Sequence, residues 1–381
     1  MLAEGCSTSA PPPIISAPEV IETTCKTIGA RISFDFEGAP PSRCVIEGER
    51  EFSVLITPEH SPPINPSPWF AFRYETEGDQ GLTIHLRYLG GDHRYPPRWS
   101  DGTSSLLLPV ELSADRKTAT FTAPAGKAII SGQEIFDGTR HQNAIRRWSA
   151  TAQSGVITLG RSHDGRPVEA VRLGQADAPR LVVLLGRQHP PEVTGAIAME
   201  AFVDRIVELL AANPELGKSY QFLVVPLLNP DGVARGHWRA NLGGKDLNRD
   251  WGVFSQPETQ SVKRWLDALP ETISPILMLD FHSTHRNLFY VQDESEASET
   301  KPFLTAWLLG KEESMPGYPF SIERRDSSSG DGTTRFWFHS VYGIPAYTYE
   351  VADDADREAA RAAARLLATD LPRALSAALS N

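Results

Sequence analysis

The stretch Leu184-Leu-Gly-Arg-Gln-His-Pro-Pro-Glu192 decides the fold of this chain, because it places a histidine and a glutamate at a predicted strand-to-helix turn. The apolar run over residues 181–185 has the length of a buried strand, and residues 193–210 carry apolar side chains at helical spacing. Open α/β sheets bind ligands at such turns. An imidazole nitrogen and a carboxylate oxygen suit Zn²⁺, which keeps three protein ligands and a water at catalytic sites. We therefore predict that His189 and Glu192 bind zinc, although the pair alone also fits a loop histidine beside a glutamate at a helix N-terminus.

Three further strand-like segments lead into polar residues that complete this chemistry. They are residues 222–228, which precede Asn229-Pro-Asp-Gly, Arg239 and Asp246-Leu-Asn-Arg249; residues 276–282, which end in His282; and residues 344–350, which end in Glu350. Together they offer a third zinc ligand, a base for a water, and cations for an oxyanion and a carboxylate. Metal-assisted amide hydrolysis requires this set of groups.

In this order, the motifs resemble the M14 family of zinc carboxypeptidases over roughly residues 135–380. Within that family the chain is most similar to the cytosolic carboxypeptidases and their bacterial relatives. The segments that carry this closer resemblance are Gly236-His-Trp-Arg239, Asp246-Leu-Asn-Arg249, Asp280-Phe-His-Ser-Thr-His-Arg286 and Gly330-Asp-Gly-Thr-Thr-Arg335. The resemblance implies an α/β class with a mixed-sheet carboxypeptidase fold and helices on both faces of the sheet.

The resemblance also implies the metal ligands and the base. His189, Glu192 and His282 would bind Zn²⁺ as the cofactor. Glu350 would be the general base, which takes a proton from the zinc-bound water and passes it to the leaving amine. A simpler interpretation is that Glu350 caps a helix that begins near Asp354.

The remaining roles concern the substrate. Arg239 would polarise the scissile carbonyl and stabilise the oxyanion. Asn248 and Arg249 would bind the C-terminal carboxylate, for which the planar guanidinium is suited. The alternative for Arg249 is a surface ion pair with Asp250.

Arg335 lies fifteen residues before Glu350. In the family, the residue at this spacing lines the pocket for the last side chain of the substrate. A buried arginine there favours Glu or Asp, because its charge is costly until a carboxylate neutralises it. The alternative is an arginine whose stem packs along a helix surface beside Phe336 and Trp337.

Composition narrows the class of protein. The chain has 381 residues with 40% hydrophobic and 22% charged residues, which is typical of a globular protein of two domains. Its 37 basic and 48 acidic residues give a net charge of −11, which argues against nucleic acid as a partner. No apolar run reaches the length of a transmembrane helix. The sequence leaves the oligomeric state open.

The N-terminal part differs from the rest of the chain. Residues 1–19 are predicted to be a flexible leader, residues 20–130 an antiparallel β-sandwich domain, and residues 135–381 the catalytic domain, which opens with a helix around residues 141–148. Cys25 and Cys44 could form a disulfide, although Cys6 and these two could equally be three thiols. The segment Leu2-Ala-Glu-Gly-Cys6 resembles a lipoprotein cleavage site, and this favours an exported location, periplasmic or lipid-anchored, over a cytoplasmic one.

These observations predict a zinc metallocarboxypeptidase that acts on peptide or protein C-termini with a deglutamylase-like preference. Two alternatives remain. One is a small-molecule zinc amidohydrolase of the aspartoacylase or succinylglutamate-desuccinylase kind, which uses a similar Asp-Leu-Asn-Arg segment. The other is a non-catalytic binding module on the same fold, which the intact set of ligands and base opposes.

Overall fold

The computed structural model describes residues 24–152, 154–293, 300–326 and 330–379. The predicted leader, residues 1–19, lies outside these residues, and so does Cys6. Along the described chain, two β-sheets come first and a larger sheet with helices follows.

The two N-terminal sheets form a sandwich with one apolar core between them. The first has the strand order β1-β2-β5-β11-β7-β8 and the second the order β3-β4-β6-β10-β9. Their bounds are β1 Thr24–Lys26, β2 Ala30–Ser33, β3 Arg43–Gly48, β4 Glu51–Ile56, β5 Ala71–Thr76, β6 Leu82–Tyr88, β7 Arg98–Ser100, β8 Ser105–Leu107, β9 Glu111–Leu112, β10 Thr118–Ala123 and β11 Lys127–Ser131. In β6, Leu82, Ile84, Leu86 and Tyr88 are buried, so every second side chain faces the core.

One strand pair departs from the predicted antiparallel sandwich. Strands β4 and β6 pair in parallel, whereas the other pairs in both sheets are antiparallel. Strand β5 lies between β4 and β6 in sequence but belongs to the opposite sheet. After β4 the chain therefore passes to the opposite sheet as β5 and comes back as β6, which runs beside β4 in the same direction. Local strand patterns do not reveal this connection.

A disulfide joins the two sheets of the sandwich. Cys25 on β1 is bonded to Cys44 on β3, with a Cα–Cα distance of 6.1 Å. The pairing that the sequence left open is therefore present in the structure.

The C-terminal part is a three-layer α/β unit. Its sheet has eight strands in the order β12-β13-β15-β14-β16-β19-β17-β18, with β15, β14, β16 and β19 parallel in its centre. The strands are β12 Val156–Arg161, β13 Pro167–Leu173, β14 Arg180–Gly186, β15 Tyr220–Val225, β16 Ser274–Thr284, β17 Leu288–Gln292, β18 Ser321–Arg325 and β19 Ala346–Ala352. The helices are α1 Gly138–Ala152, α2 Val193–Ala212, α3 Pro214–Ser219, α4 Pro230–Ala234, α5 Pro257–Asp267, α6 Lys301–Trp307, α7 Thr334–Tyr342 and α8 Arg357–Leu379, with a 3₁₀ turn at Leu247–Arg249.

Helices cover both faces of this sheet. Helices α1, α2, α6 and α8 pack on one face, where Val182 and Leu184 of β14 are buried. Helices α5 and α7 pack on the other face, against Leu181, Val183 and Leu185 of the same strand. Because both faces are covered, the central strands are continuous apolar runs. The predicted mixed-sheet α/β class is confirmed.

Strands β16 and β19 bring two predicted site residues side by side. His282 and Glu350 are direct partners in the parallel register, close to the carboxyl ends of their strands. Both strands continue two residues further than predicted, to Thr284 and Ala352. None of the described helices combines the length and apolar character needed to cross a membrane.

Candidate metal centre and active-site cleft

Three predicted ligands converge at the carboxyl edge of the central sheet. One ligand atom each from His189, Glu192 and His282 lie within 4.8 Å of one another. The Glu192 carboxylate is 2.8 Å from His189 Nδ1 through Oε1 and 2.7 Å from His282 Nδ1 through Oε2. The two Nδ1 atoms and one carboxylate therefore face a common point.

Buried carboxylates hold the opposite nitrogen of each histidine ring. His189 Nε2 lies 2.9 Å from Asp246 Oδ1, and His282 Nε2 lies 2.8 Å from Asp280 Oδ2. Gln188 Nε2 donates to the same Asp280 oxygen at 2.6 Å. Carboxylates in this position fix the ring orientation and keep the proton on Nε2, which leaves Nδ1 for a metal. Both aspartates lie inside motifs of the sequence, Asp246-Leu-Asn-Arg249 and Asp280-Phe-His282, but the motifs alone do not indicate this role.

The electrostatics of the three ligands favour positive charge between them. Burial alone would raise the pKa of Glu192, but the charges of His189 and His282 lower it well below its ordinary value. Burial lowers the pKa of His282, yet Asp280 and Glu192 outweigh it and raise that pKa well above its ordinary value. A bound divalent cation would take the place of the protons that these rings otherwise hold.

A close helix-to-strand contact fixes the position of His282. A Cβ atom at Gly195 on α2 would lie 2.4 Å from the backbone oxygen of His282, which is too close for any larger residue. Ser283 Oγ also accepts a hydrogen bond of 2.9 Å from the Gly195 N–H. The helix that follows Glu192 therefore packs directly against the backbone of His282.

Glu350 lies next to this cluster. Its Oε2 atom is buried and has no hydrogen-bond partner among the described residues. Burial raises the pKa of Glu350 to about 7, with the charge of His282 opposing the rise. The alternative of a helix cap is wrong, because α8 begins at Arg357 and Asp356 accepts the hydrogen bond from Ala359 N. A buried carboxyl oxygen without a partner suits a group that exchanges a proton with a water.

The His189, Glu192 and His282 cluster lies in a cavity of about 410 Å³, and every predicted site residue lines this cavity. The predicted residues that line it are His189, Glu192, Arg239, Asn248, Arg249, His282, Arg335 and Glu350. Two further arginines, Arg94 and Arg325, also line it and were missed by the sequence analysis. Arg94 belongs to the N-terminal part of the chain, between β6 and β7. Its guanidinium is bound to Asp353 at 2.6 Å.

Asn248 and Arg249 lie on the 3₁₀ turn at the cavity wall. Asn248 Oδ1 accepts hydrogen bonds from Thr334 N at 2.9 Å and Thr334 Oγ1 at 3.1 Å. This fixes the amide with Nδ2 on the side of His282, 3.5 Å from its Nε2. Arg249 is exposed at the cavity. The described residues show no ion pair with Asp250, whose carboxylate accepts hydrogen bonds from Ser255, Gln256 and Thr259.

Arg335 is buried, with 6% of its surface exposed, at the second position of α7. Its Nη1 donates to the backbone oxygen of Arg325 at 3.3 Å, and its side chain lines the cavity. The side chain is therefore enclosed at the cavity and does not extend into bulk solvent. Its specificity role remains a prediction.

The residues present fit a zinc ion. Two imidazole nitrogens and a carboxylate are the ligand set of many catalytic zinc sites, and both rings have the carboxylate partners such sites use. The fold and the ligand set together are similar to those of metallohydrolases of the carboxypeptidase type. Residues 149–369 match the zinc carboxypeptidase family, Peptidase_M14, and because this is more than half of the sequence, the chain belongs to that family.

Curated relatives match parts of the chain. An uncharacterized protein of Zymomonas mobilis is 28% identical over 211 residues, which cover 52% of this chain and 55% of that protein. Mouse cytosolic carboxypeptidase 3 is 36% identical over 128 residues, which cover 32% of this chain and 13% of that protein. The chain thus spans about half of the first relative and a small part of the second.

Solved structures agree over most of the fold. A metallo-carboxypeptidase from Burkholderia cenocepacia has a TM-score of 0.74 and 19% identity, covering 91% of this chain and 99% of that one. A metallo-carboxypeptidase from Pseudomonas aeruginosa, in complex with (2-guanidinoethylmercapto)succinic acid, has a TM-score of 0.68 and 19% identity, covering 92% and 99%. The shared fold includes the N-terminal sandwich, because the matches cover nearly the whole chain.

Proposed function

We propose that this protein is a zinc-dependent metallocarboxypeptidase that hydrolyses the C-terminal amide bond of peptides or proteins. The observation that carries the proposal is the convergence, in one cavity, of the His189, Glu192 and His282 ligands with Glu350 and a group of arginines. Family membership supports the reaction type.

In the proposed reaction the metal, Glu350 and Arg239 have separate roles. A bound Zn²⁺ would supply a Lewis acid that polarises the scissile carbonyl and makes a water more acidic. Glu350 accepts the proton of the attacking water at Oε2, the oxygen without a partner, and delivers it to the leaving amine. Arg239 donates to the oxyanion that develops on the carbonyl oxygen.

Two residues would select a free C-terminus. The exposed Arg249 guanidinium forms two parallel hydrogen bonds with the C-terminal carboxylate, and Asn248 Nδ2 adds a third donor. Because Thr334 holds Asn248 Oδ1, the amide cannot rotate to present its oxygen to the anion. An internal peptide bond lacks this carboxylate and is therefore excluded.

The substrate preference would be acidic. Arg94, Arg239, Arg249, Arg325 and Arg335 all line the cavity. Arg335 is more buried than Arg239 and Arg249, the other two arginines with a predicted substrate role. It would contact the terminal side chain of the substrate. A C-terminal Glu or Asp adds negative charge among these cations, whereas a Lys adds to their repulsion.

The test uses matched peptides that end in Glu, Leu or Lys, with the released residue quantified by mass spectrometry. The zinc-loaded parent should release Glu fastest. The Glu350→Gln variant should keep its zinc, but its turnover should fall by roughly 10²- to 10⁴-fold. Arg335→Ala should lose the preference for Glu and still release Leu. A parent that prefers Leu or Lys, or an unchanged ranking in Arg335→Ala, would remove the acidic preference but leave the carboxypeptidase proposal standing.

Two controls separate the alternatives. N-acetyl-aspartate and N-succinyl-glutamate test a small-molecule amidohydrolase, and cleavage of these without any peptide would replace the proposed substrate class. A zinc-loaded protein that binds peptides but releases no residue would instead indicate a binding module.

A further inference from the structure

The segment that carries Arg239, residues 235–246, packs against the N-terminal sandwich. Gly236 has a φ of 62°, and a Cβ atom there would lie 2.4 Å from Pro40 N and 2.5 Å from Ala39 C. Both the left-handed backbone and this contact require glycine. The chain therefore enters the Arg239 segment pressed against residues 39–40 of the sandwich part.

Aromatic contacts extend this interface along the segment. The Trp238 ring lies 6.1 Å from the Tyr95 ring and 4.9 Å from Arg94 Cζ. The His237 ring lies 5.5 Å from the His60 ring. The two residues that precede Arg239 are thus packed on residues of the N-terminal part.

The most specific contact is a carboxylate bound by consecutive backbone amides. Glu59 follows β4, and its side chain accepts hydrogen bonds from the N–H groups of Trp238, Arg239 at 2.8 Å and Ala240 at 2.7 Å. Successive N–H groups that point to one side form a concave anion site. A charged acceptor makes such hydrogen bonds roughly twice as strong as neutral ones.

The Arg239 segment has little regular structure to hold it. It lies between α4, which ends at Ala234, and the 3₁₀ turn that begins at Leu247. Its regular pairing among the described residues is the isolated bridge between Ala240 and Asp246. Neither a helix nor the central sheet therefore sets the backbone of Arg239.

We propose that Glu59 is a positioning residue that makes the N-terminal domain part of the active site. Glu59 fixes the backbone of Arg239, and Asp246 fixes its side chain through a 2.7 Å hydrogen bond from Nε. The same Asp246 holds His189, so the carboxylate in the sandwich is linked to the metal ligand through one arginine. The inference rests on the oxyanion role that the proposed function gives to Arg239.

The test is a double-mutant cycle in the full-length protein, with Glu59→Gln and Arg239→Lys. Glutamine keeps the shape of the side chain, but its NH₂ group turns toward a backbone donor and loses at least one of the three hydrogen bonds. We expect Glu59→Gln to lower kcat by roughly 10- to 100-fold with little change in KM or zinc content, as for a misplaced catalytic group. In the Arg239→Lys background the same change should have almost no further effect, because interacting residues are not additive.

Glu134→Gln is the matched control. Glu134 lies just after the sandwich and is bound to Arg357 at 2.9 Å. Its replacement weakens a contact between the two parts but leaves the hydrogen bonds from the N–H groups of Trp238, Arg239 and Ala240 to Glu59 in place. This variant should keep the parent kcat. A Glu59→Gln enzyme with parent kcat, or one whose loss is equally large in the Arg239→Lys background, would overturn the inference.

The same variants distinguish failure of the proposed function from failure of the positioning role of Glu59. If Arg239→Lys turns over as fast as the parent, Arg239 does not stabilise the oxyanion. If Arg239→Lys is slow while Glu59→Gln is not, the positioning role alone is wrong. A parent that releases no C-terminal residue would overturn both.

Discussion

The predicted metal ligands and Arg239 line one cavity but are held in place by different parts of the chain. His189 and Glu192 lie between β14 and α2, and His282 lies on β16; the apolar side chains of these elements belong to a buried core of the α/β unit. Arg239 is positioned by irregular chain that the sandwich holds through Glu59. The metal centre should therefore withstand damage to the sandwich, whereas proper placement of Arg239 should not.

Because the two groups are held by different regions, we expect that metal binding and turnover can be impaired independently. A change in the central sheet should appear first in zinc content. A change in the sandwich or its interface should appear in kcat while zinc remains bound. The following experiments test this separation, in order of decreasing expected effect.

The largest effect is expected from His282→Ala. The parent should contain about one zinc per chain, and the variant, which keeps two of the three ligands, should contain almost none and lose activity with the metal. Metal analysis of the purified proteins measures this. His163→Ala, at an exposed histidine bound to Gln256, is the control and should keep its zinc. Full zinc in His282→Ala would show that the ligand set is wrong.

The second comparison uses the two carboxylates behind the ligands. Asp280→Asn and Asp246→Asn should each weaken zinc binding by about 10- to 100-fold, as loss of a histidine's partner does. With excess zinc, Asp280→Asn should regain the parent kcat. Asp246→Asn should stay slow, because Asp246 also holds Arg239 at 2.7 Å. Equal recovery of both variants in a zinc titration would remove the distinction between the two regions.

A smaller effect is expected from pH. Glu350 accepts a proton only when ionised, so kcat/KM should fall about tenfold for each pH unit below its pKa. Burial raises that pKa to about 7, and the positive charge of bound zinc would lower it, so the acid limb should have an apparent pKa at or below about 7. A pH–rate profile measures the limb. The residual activity of Glu350→Gln should not show it, and an unchanged limb in that variant would mean that another group titrates.

The smallest effect on the metal centre is expected from the disulfide. Replacing Cys25 and Cys44 by serine should lower the free energy of unfolding by about 3 kcal/mol for a loop of this length. Zinc content should stay at the parent value, because no ligand lies in the sandwich. Thermal denaturation and metal analysis on the same sample check both statements. Loss of zinc at temperatures where the variant remains folded would contradict the separation.

Much of the fold could be predicted because its main strands have simple patterns. Strand β6, Leu82–Tyr88, shows the alternating pattern typical of a sandwich strand, since every second residue is apolar and buried. Strand β14 lies within one residue of prediction at each end because both faces of it are covered. Strands β7, β8 and β9 have no such pattern, because they are two or three residues long and carry no buried side chain.

The same contrast holds for the site. His189, His282 and Glu350 could be located because each follows or ends an apolar run whose carboxyl end lies at one edge of the sheet. Glu59 could not be located, since its partners are backbone N–H groups about 180 residues away, and such contacts have no sequence signature. Arg94 was missed for a similar reason, because its partner Asp353 is distant in sequence.

The parallel register that makes His282 and Glu350 direct neighbours also limits which insertions and deletions the protein can accept. Successive residues of a strand point to opposite faces of the sheet. Insertion or deletion of a single residue between Ala346 and Glu350 would turn the Glu350 side chain toward the opposite helical layer while His282 stayed in place. Substitutions along β19 can change one contact at a time, but a change in its length separates Glu350 from His282 in one step.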